Sequence, residues 1–194
     1  MTTTTSVRRL AAPVALLVVA LAALTATPAQ AVRNLFFEET ASAFWSVPYE
    51  CADGSVVEGT LLVQSTRDYE APDTEDADPT TRVQFLAVCP DGTSFSWVGF
   101  LPSTISSTDN LKSVRTVGSG TVRDNSGGLH TVTFDVTYTA VGPLVTEVNG
   151  PGSKRVEREA TATGQVTFGG TLIVDGANNH PTRPSPFIRV DTEK

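Results

Sequence analysis

This chain holds few of the residues from which most catalytic and metal centres are built. Its 194 residues include two cysteines, two histidines and one methionine. Two histidines cannot supply a three-histidine zinc centre, and no HExxH stretch occurs. No G-x-S-x-G stretch occurs either, which removes the strand-to-helix nucleophile turn of α/β-hydrolases. No catalytic residue, cofactor or structural metal is therefore expected from motifs. The one long apolar run without charge, Leu10 to Leu24, is fifteen residues, shorter than the roughly 20 that span a bilayer. Beyond Ala31 no segment has the 3.6-residue apolar period of a helix.

What is present first is an export pattern. Arg8 and Arg9 precede the apolar run, and the polar, small-residue segment Thr25 to Ala31 ends in Ala29-Gln30-Ala31. That order is the order of a cleavable signal peptide, 1–31, with cleavage expected after Ala31. Pro28 interrupts the apolar helix just before the cut. The expected product is one secreted, extracellular β-domain, Val32 to Lys194, a length that suits a single core. No cysteine follows the apolar run to accept lipid and no apolar tail precedes Lys194, so no stable membrane anchor is expected after cleavage. The product would carry 12 basic against 21 acidic residues, a net charge of −9. Such a surface argues against nucleic acid and anionic membranes as partners. Eleven arginines against three lysines, with an alanine-rich leader, suggest a GC-rich bacterial source.

In an oxidising compartment two cysteines read as one disulfide, Cys51–Cys89. Trp45, Val47, Tyr49 and Cys51 alternate along one strand face, as do Val83, Phe85, Ala87 and Cys89, so both sulfurs point with the apolar side chains. Cys51-Ala52-Asp53-Gly54-Ser55 and Cys89-Pro90-Asp91-Gly92-Thr93 share the pattern C-x-D-G-[ST]. Asp-Gly favours a hairpin turn because Gly accepts positive φ and Asp tolerates it. Two similar hairpins are expected, with Asp53 and Asp91 as turn residues.

The remainder reads as strand and turn. His130, Val132, Phe134, Val136 and Tyr138 share one face of a half-buried antiparallel strand, with Thr131 to Thr139 on the other. Asp124 to Gly128 joins it to a strand over Ser113 to Arg123. Further strands are expected over Lys154 to Thr163 and Gln165 to Val174, with Gly169-Gly170 a tight turn or bulge. The fold class is all-β. An antiparallel β-sandwich is the first expectation and a closed or partly open β-barrel the alternative. The Cys–Trp–Cys order of immunoglobulin domains is not met, since Trp45 precedes both cysteines and Trp97 follows both. Val32 to Ser42 reads as a tail or first edge strand, 68–79 as a flexible acidic loop, and 176–186 as a Pro-rich connector before a last strand at Phe187 to Val190.

Few residues stand out as sites. Asp68, Glu70, Asp73, Glu75, Asp76 and Asp78 form a weak calcium candidate, without the spacing, central Gly or terminal Glu of an EF-hand. Glu157 and Glu159 share a face with Arg155, as on an exposed charged strand. Arg158 falls on the inward face and is expected to lie near a strand end and reach solvent along its stem, with a buried ion pair second and a ligand contact third. Phe95, Trp97 and Gly99 alternate with Val98 and Phe100, so both faces of that strand are apolar; packing on both is the first expectation, and an exposed patch on one side, of the kind that marks binding, the alternative. Gly59, Gly99, Gly118 and Gly120 mark barrel bends or places where a ligand approaches. Three functions fit: a non-enzymatic binding or surface-associated module for an extracellular macromolecule or small ligand, a barrel carrying a small apolar ligand, and a small secreted hydrolase.

Overall fold

The structure, a computed structural model, describes residues 35–71, 79–181 and 185–193. The signal segment, its cleavage point at Ala31, and Asp73, Glu75, Asp76 and Asp78 lie outside the described residues. Threonine and valine dominate what remains, and their branched side chains suit a pleated surface. Ten strands result: β1 Leu35–Glu50, β2 Val56–Ala71, β3 Thr80–Val88, β4 Ser94–Ser107, β5 Ser113–Asp124, β6 Leu129–Ala140, β7 Val145–Gly150, β8 Ser153–Phe168, β9 Thr171–Ala177 and β10 Phe187–Glu193.

Every pairing is antiparallel. Each strand from β1 to β6 pairs with the next, β6 pairs with β8, β8 with β10, and β10 returns to β1. The hydrogen-bonded ring is closed, so the barrel is found rather than the sandwich. Closure depends on β1, which has β2 on one side and β10 on the other, with Phe36 opposite Glu193 and Ser42 opposite Phe187. The segment read as a tail or edge is thus the strand that removes the edge. β7 extends the stave begun by β6, and β9 that completed by β10, since each pair of strands shares one edge of β8.

The expected break in β8 does not occur. Gly164 faces inward, where a Cβ would lie 2.5 Å from the Asp135 carbonyl oxygen, so the glycine keeps the strand continuous rather than ending it. The turn comes later, at Gly169 and Gly170, with φ of 57° and 84°, the left-handed pair that a tight hairpin requires. The connector is pinned to the wall. Asn179 Oδ1 accepts from the Ser46 amide at 2.8 Å, Asn178 Oδ1 from the Ala162 amide at 3.0 Å, and His180 Nε2 lies 3.0 Å from Thr60 Oγ1.

The two ends of the barrel differ. One gathers the tight turns after β1, β3, β5 and β8. There the Cys51–Cys89 disulfide, with Cα atoms 6.0 Å apart, joins the first two of these turns. Inside this end Trp97 stacks on Phe168 at 5.0 Å, Tyr49 on Phe95 at 5.2 Å and Phe85 on Trp97 at 6.1 Å. Toward the other end the inward residues become polar. Thr81 Oγ1 lies 3.0 Å from the Ser65 and Ser103 hydroxyls and 3.2 Å from that of Thr116. Tyr138 donates to the Val63 carbonyl at 3.0 Å, and burial pushes its hydroxyl above the usual tyrosine range. Beyond this layer Arg67 pairs with Glu39 and donates to Ser107 at 3.1 Å. Arg158 was expected near a strand end, reaching solvent; instead it lies within β8, half-buried, and donates to the Asn110 carbonyl at 2.9 Å and that of Gly142 at 3.1 Å.

Candidate functional site

Three places bear on function: the disulfide end, the interior and the outer wall. At the disulfide end the twin turns form as expected. Asp53 accepts from the Ser55 amide and hydroxyl at 2.9 and 2.6 Å, and Asp91 from those of Thr93 at 2.9 and 2.7 Å. These hydroxyl donors hold both carboxyls below the usual range. Each aspartate is accounted for by its turn. A third turn repeats the device. Asp124 accepts from the Ser126 amide and hydroxyl at 2.9 and 2.7 Å and from the Gly128 amide at 2.8 Å. The D-x-S spacing of Asp124 and Ser126 was the signal available in the sequence.

Asp124 also lies 2.7 Å from His130 Nε2. The Ser126 hydroxyl and then His130 hold its carboxyl far below the usual range. A serine, a histidine and an aspartate therefore meet here, the combination a hydrolase would need. Their order is wrong for one. Nucleophilic catalysis places the imidazole between hydroxyl and carboxylate, so that nitrogen takes the hydroxyl proton. Here the carboxylate lies between the other two, and the Ser126 hydroxyl donates its hydrogen bond to Asp124, not to His130. His130 stacks on Phe168 at 4.3 Å. The trio locks a turn onto the aromatic plug.

Among the described residues the inward side chains form one packed cluster. Added methyls at Gly59, Gly99, Gly118 and Gly120 would lie 2.4 Å from Phe85, 2.6 Å from Val122, 2.5 Å from Phe134 and 2.7 Å from Leu101. These glycines mark places where core side chains press against the wall, not approaches left open for a ligand. An eight-stranded barrel is just wide enough to be filled in this way.

The outer wall carries the exposed features. A groove of about 470 Å³ crosses β5, β6, β8 and β9, lined by Arg115, Asp135, Thr137, Thr163, Gln165 and Asp175. Asp135, Gln165 and Asp175 stand in one row across three strands. Arg115 donates twice to Asp135, at 3.0 and 2.7 Å, and holds its carboxyl below the usual range, while Gln165 donates to Asp175 at 3.0 Å. Two acids flanking a groove suggest glycoside hydrolysis, but that chemistry needs one of them kept protonated. The Arg115 guanidinium favours the ionised form of Asp135, so that residue does not serve as the proton donor.

The wall of β3, β4 and β5 is different. Val98 is 48 % exposed, Phe100 71 %, Leu86 40 % and Val88 56 %. Packing on both faces of β4 was the first expectation and an exposed patch on one face the alternative. Trp97 and Leu101 pack inward, whereas among the described residues nothing buries Val98 and Phe100 on the outward face. Register sets Val98 between Gln84 on β3 and Arg123 on β5, and Phe100 beside Arg82, whose guanidinium carbon lies 6.0 Å from the ring centre. A dimple of about 160 Å³ lined by Phe44, Thr60, Leu62, Gln84 and Leu86 adjoins this patch.

Of the calcium candidates, Asp68 is exposed on β2 and Glu70 lies in the same strand. Among the described residues no group of three or more His, Cys, Asp or Glu could hold a metal ion. Glu157 and Glu159 lie on β8 with Arg155, which donates to Asp191 at 2.8 Å. Comparison with protein-family models, with curated proteins and with solved structures finds no match.

Proposed function

We propose that this chain is a secreted, non-enzymatic binding module that meets a macromolecular partner with the outer wall of β3–β5. The reading rests on one observation: Leu86, Val98 and Phe100, diagonal neighbours on β3 and β4, stand exposed on a barrel whose inward side chains pack into one cluster. Exposed apolar surface is costly to maintain in water, and a patch of this kind marks an interaction site. An aromatic residue beside an arginine is the composition enriched where interfaces bind most strongly. The packed interior weighs against a carrier of apolar ligands, and the Ser–Asp–His order weighs against a hydrolase. Placement outside the cytoplasm is supported by the disulfide, and secretion by the charged, apolar and small-residue order of 1–31. A photo-crosslinking amino acid placed at Phe100, and separately at Asp175 on β9 across the ring from β4, tests the reading in cultures of the producing organism. A discrete adduct from position 100 and none from 175 is expected. Equal labelling from both positions, or none from 100, would remove this function.

A further inference from the structure

Charge on this wall departs from that of the whole chain. Beyond the leader there are 21 acidic residues against 12 basic. Yet β3, β4 and β5, of 9, 14 and 12 residues, contain a single carboxylate. That one is Asp124, which faces inward and is committed to its turn and to His130. The outward faces carry three arginines, Arg82, Arg115 and Arg123, and no acid. Arg67, Arg115, Arg155 and Arg189 each meet a carboxylate. Among the described residues, Arg82 and Arg123 meet none. Arg82 donates to the Gln84 side chain and Arg123 to the Gly127 carbonyl at 2.7 Å. These two flank Phe100 and Val98.

Resting on the binding role proposed above, we infer that the partner is an acidic peptide segment with apolar side chains between its carboxylates. The two arginines would take carboxylates, for which the planar guanidinium is suited in geometry and hydration. Phe100, Val98 and the adjoining dimple would take the apolar groups. Val98 and Phe100, two residues apart on β4, are spaced by about 6.6 Å, the repeat of same-face side chains in an extended segment. A second copy of this chain, docked wall to wall, would oppose arginine to arginine without a carboxylate between them. An anionic lipid surface normally demands clusters of four to eight cations, and this wall offers three.

The test is titration of the ¹⁵N-labelled protein with two blocked hexapeptides, one alternating glutamate with leucine and one alternating lysine with leucine. Amide shifts centred on Leu86, Val98 and Phe100 are expected with the glutamate peptide, with affinity at least tenfold above that of the lysine peptide and falling as salt rises. Phe100→Ser should abolish the shifts. The double variant Arg82→Gln/Arg123→Gln should weaken them at least tenfold, with unchanged dispersion elsewhere in the spectrum. Equal response to both peptides, or shifts centred on another wall, overturns the inference. So does concentration-dependent broadening of the same amides without peptide, which points to self-association, or adsorption to phosphatidylglycerol vesicles in place of peptide binding. Should the position-100 adduct persist while the peptides are not distinguished, the binding role stands and the acidic partner falls. If adduct and shifts both fail, the two fall together.

Discussion

The two ends of the barrel are built from the same alternating strands but are held by different chemistry. At the disulfide end the inward side chains are Tyr49, Phe85, Phe95, Trp97 and Phe168, and a covalent bridge joins two of the turns. At the other end Ser65, Thr81, Ser103 and Thr116 stand among the inward apolar side chains Ile105, Val114 and Tyr138, followed by the Glu39–Arg67 pair. The first depends on area removed from water and on a bond, the second on polar groups finding one another. Tight turns close the disulfide end over an apolar plug, whereas at the other end the buried hydroxyls of Ser65, Thr81 and Thr116 hydrogen-bond to one another and the buried Glu39 carboxylate meets Arg67. A barrel can thus grade its interior along its axis while every strand keeps the same period of two.

The comparison can be broken most severely at the aromatic plug. Trp97→Ala should cost about 3–5 kcal/mol, read as a lowered denaturant midpoint. A loss below about 1 kcal/mol would show that the plug is not the anchor of its end. Removing the bridge with Cys51→Ser/Cys89→Ser should cost about 2–5 kcal/mol, and reducing agent should lower the wild-type melting temperature comparably while leaving the double variant unchanged. At the polar end, Arg67→Met leaves Glu39, 3 % exposed, without its cation. Breaking a buried pair costs about 3–5 kcal/mol, and the lower figure is expected because Arg67 is 23 % exposed. Adding Glu39→Leu should return most of the loss. A double variant no better than the single one would mean that lost packing, not an unpaired charge, is responsible.

The smallest effect tests the one ionic device at the disulfide end. The Asp124 carboxyl is held far below its usual value by Ser126 and His130. A carboxylate depressed in the folded state stabilises above its unfolded value, about 3.9, and the contribution is lost as pH falls toward the folded value. Wild type should therefore melt above Asp124→Asn at pH 6, and the two should converge as the pH is taken below about 4. A constant gap between pH 3 and 6 would show that Asp124 acts through shape alone.

Much of this was legible in residue spacing. The alternation of Val132, Phe134, Val136 and Tyr138 located β6, and C-x-D-G-[ST] located two turns and the bridge. The third turn at Asp124 uses the same aspartate-to-hydroxyl spacing without a cysteine to draw attention to it. The Asp124–His130 contact joins residues six apart in sequence, but it needs the hairpin folded before the two side chains share a face. The glycines were legible as close approaches, though not as approaches by Phe85, Phe134 and Leu101, because those residues come from other parts of the chain.

By itself the sequence determined the all-β class, the half-buried strands, the turns and the cysteine pair, because each depends on a period of two or on the φ preferences of a few adjacent residues. Tertiary structure alone decided that the sheet closes, since closure needs Phe36 to meet Glu193 across nearly the whole chain. It also decided the face of β4. Alternation divides Trp97 and Leu101 from Val98 and Phe100 into two apolar sets, but which set is covered depends on what lies over each. In a closed single-layer barrel only the inside is covered, and that left Phe100 exposed among arginines on a wall without an outward-facing acid.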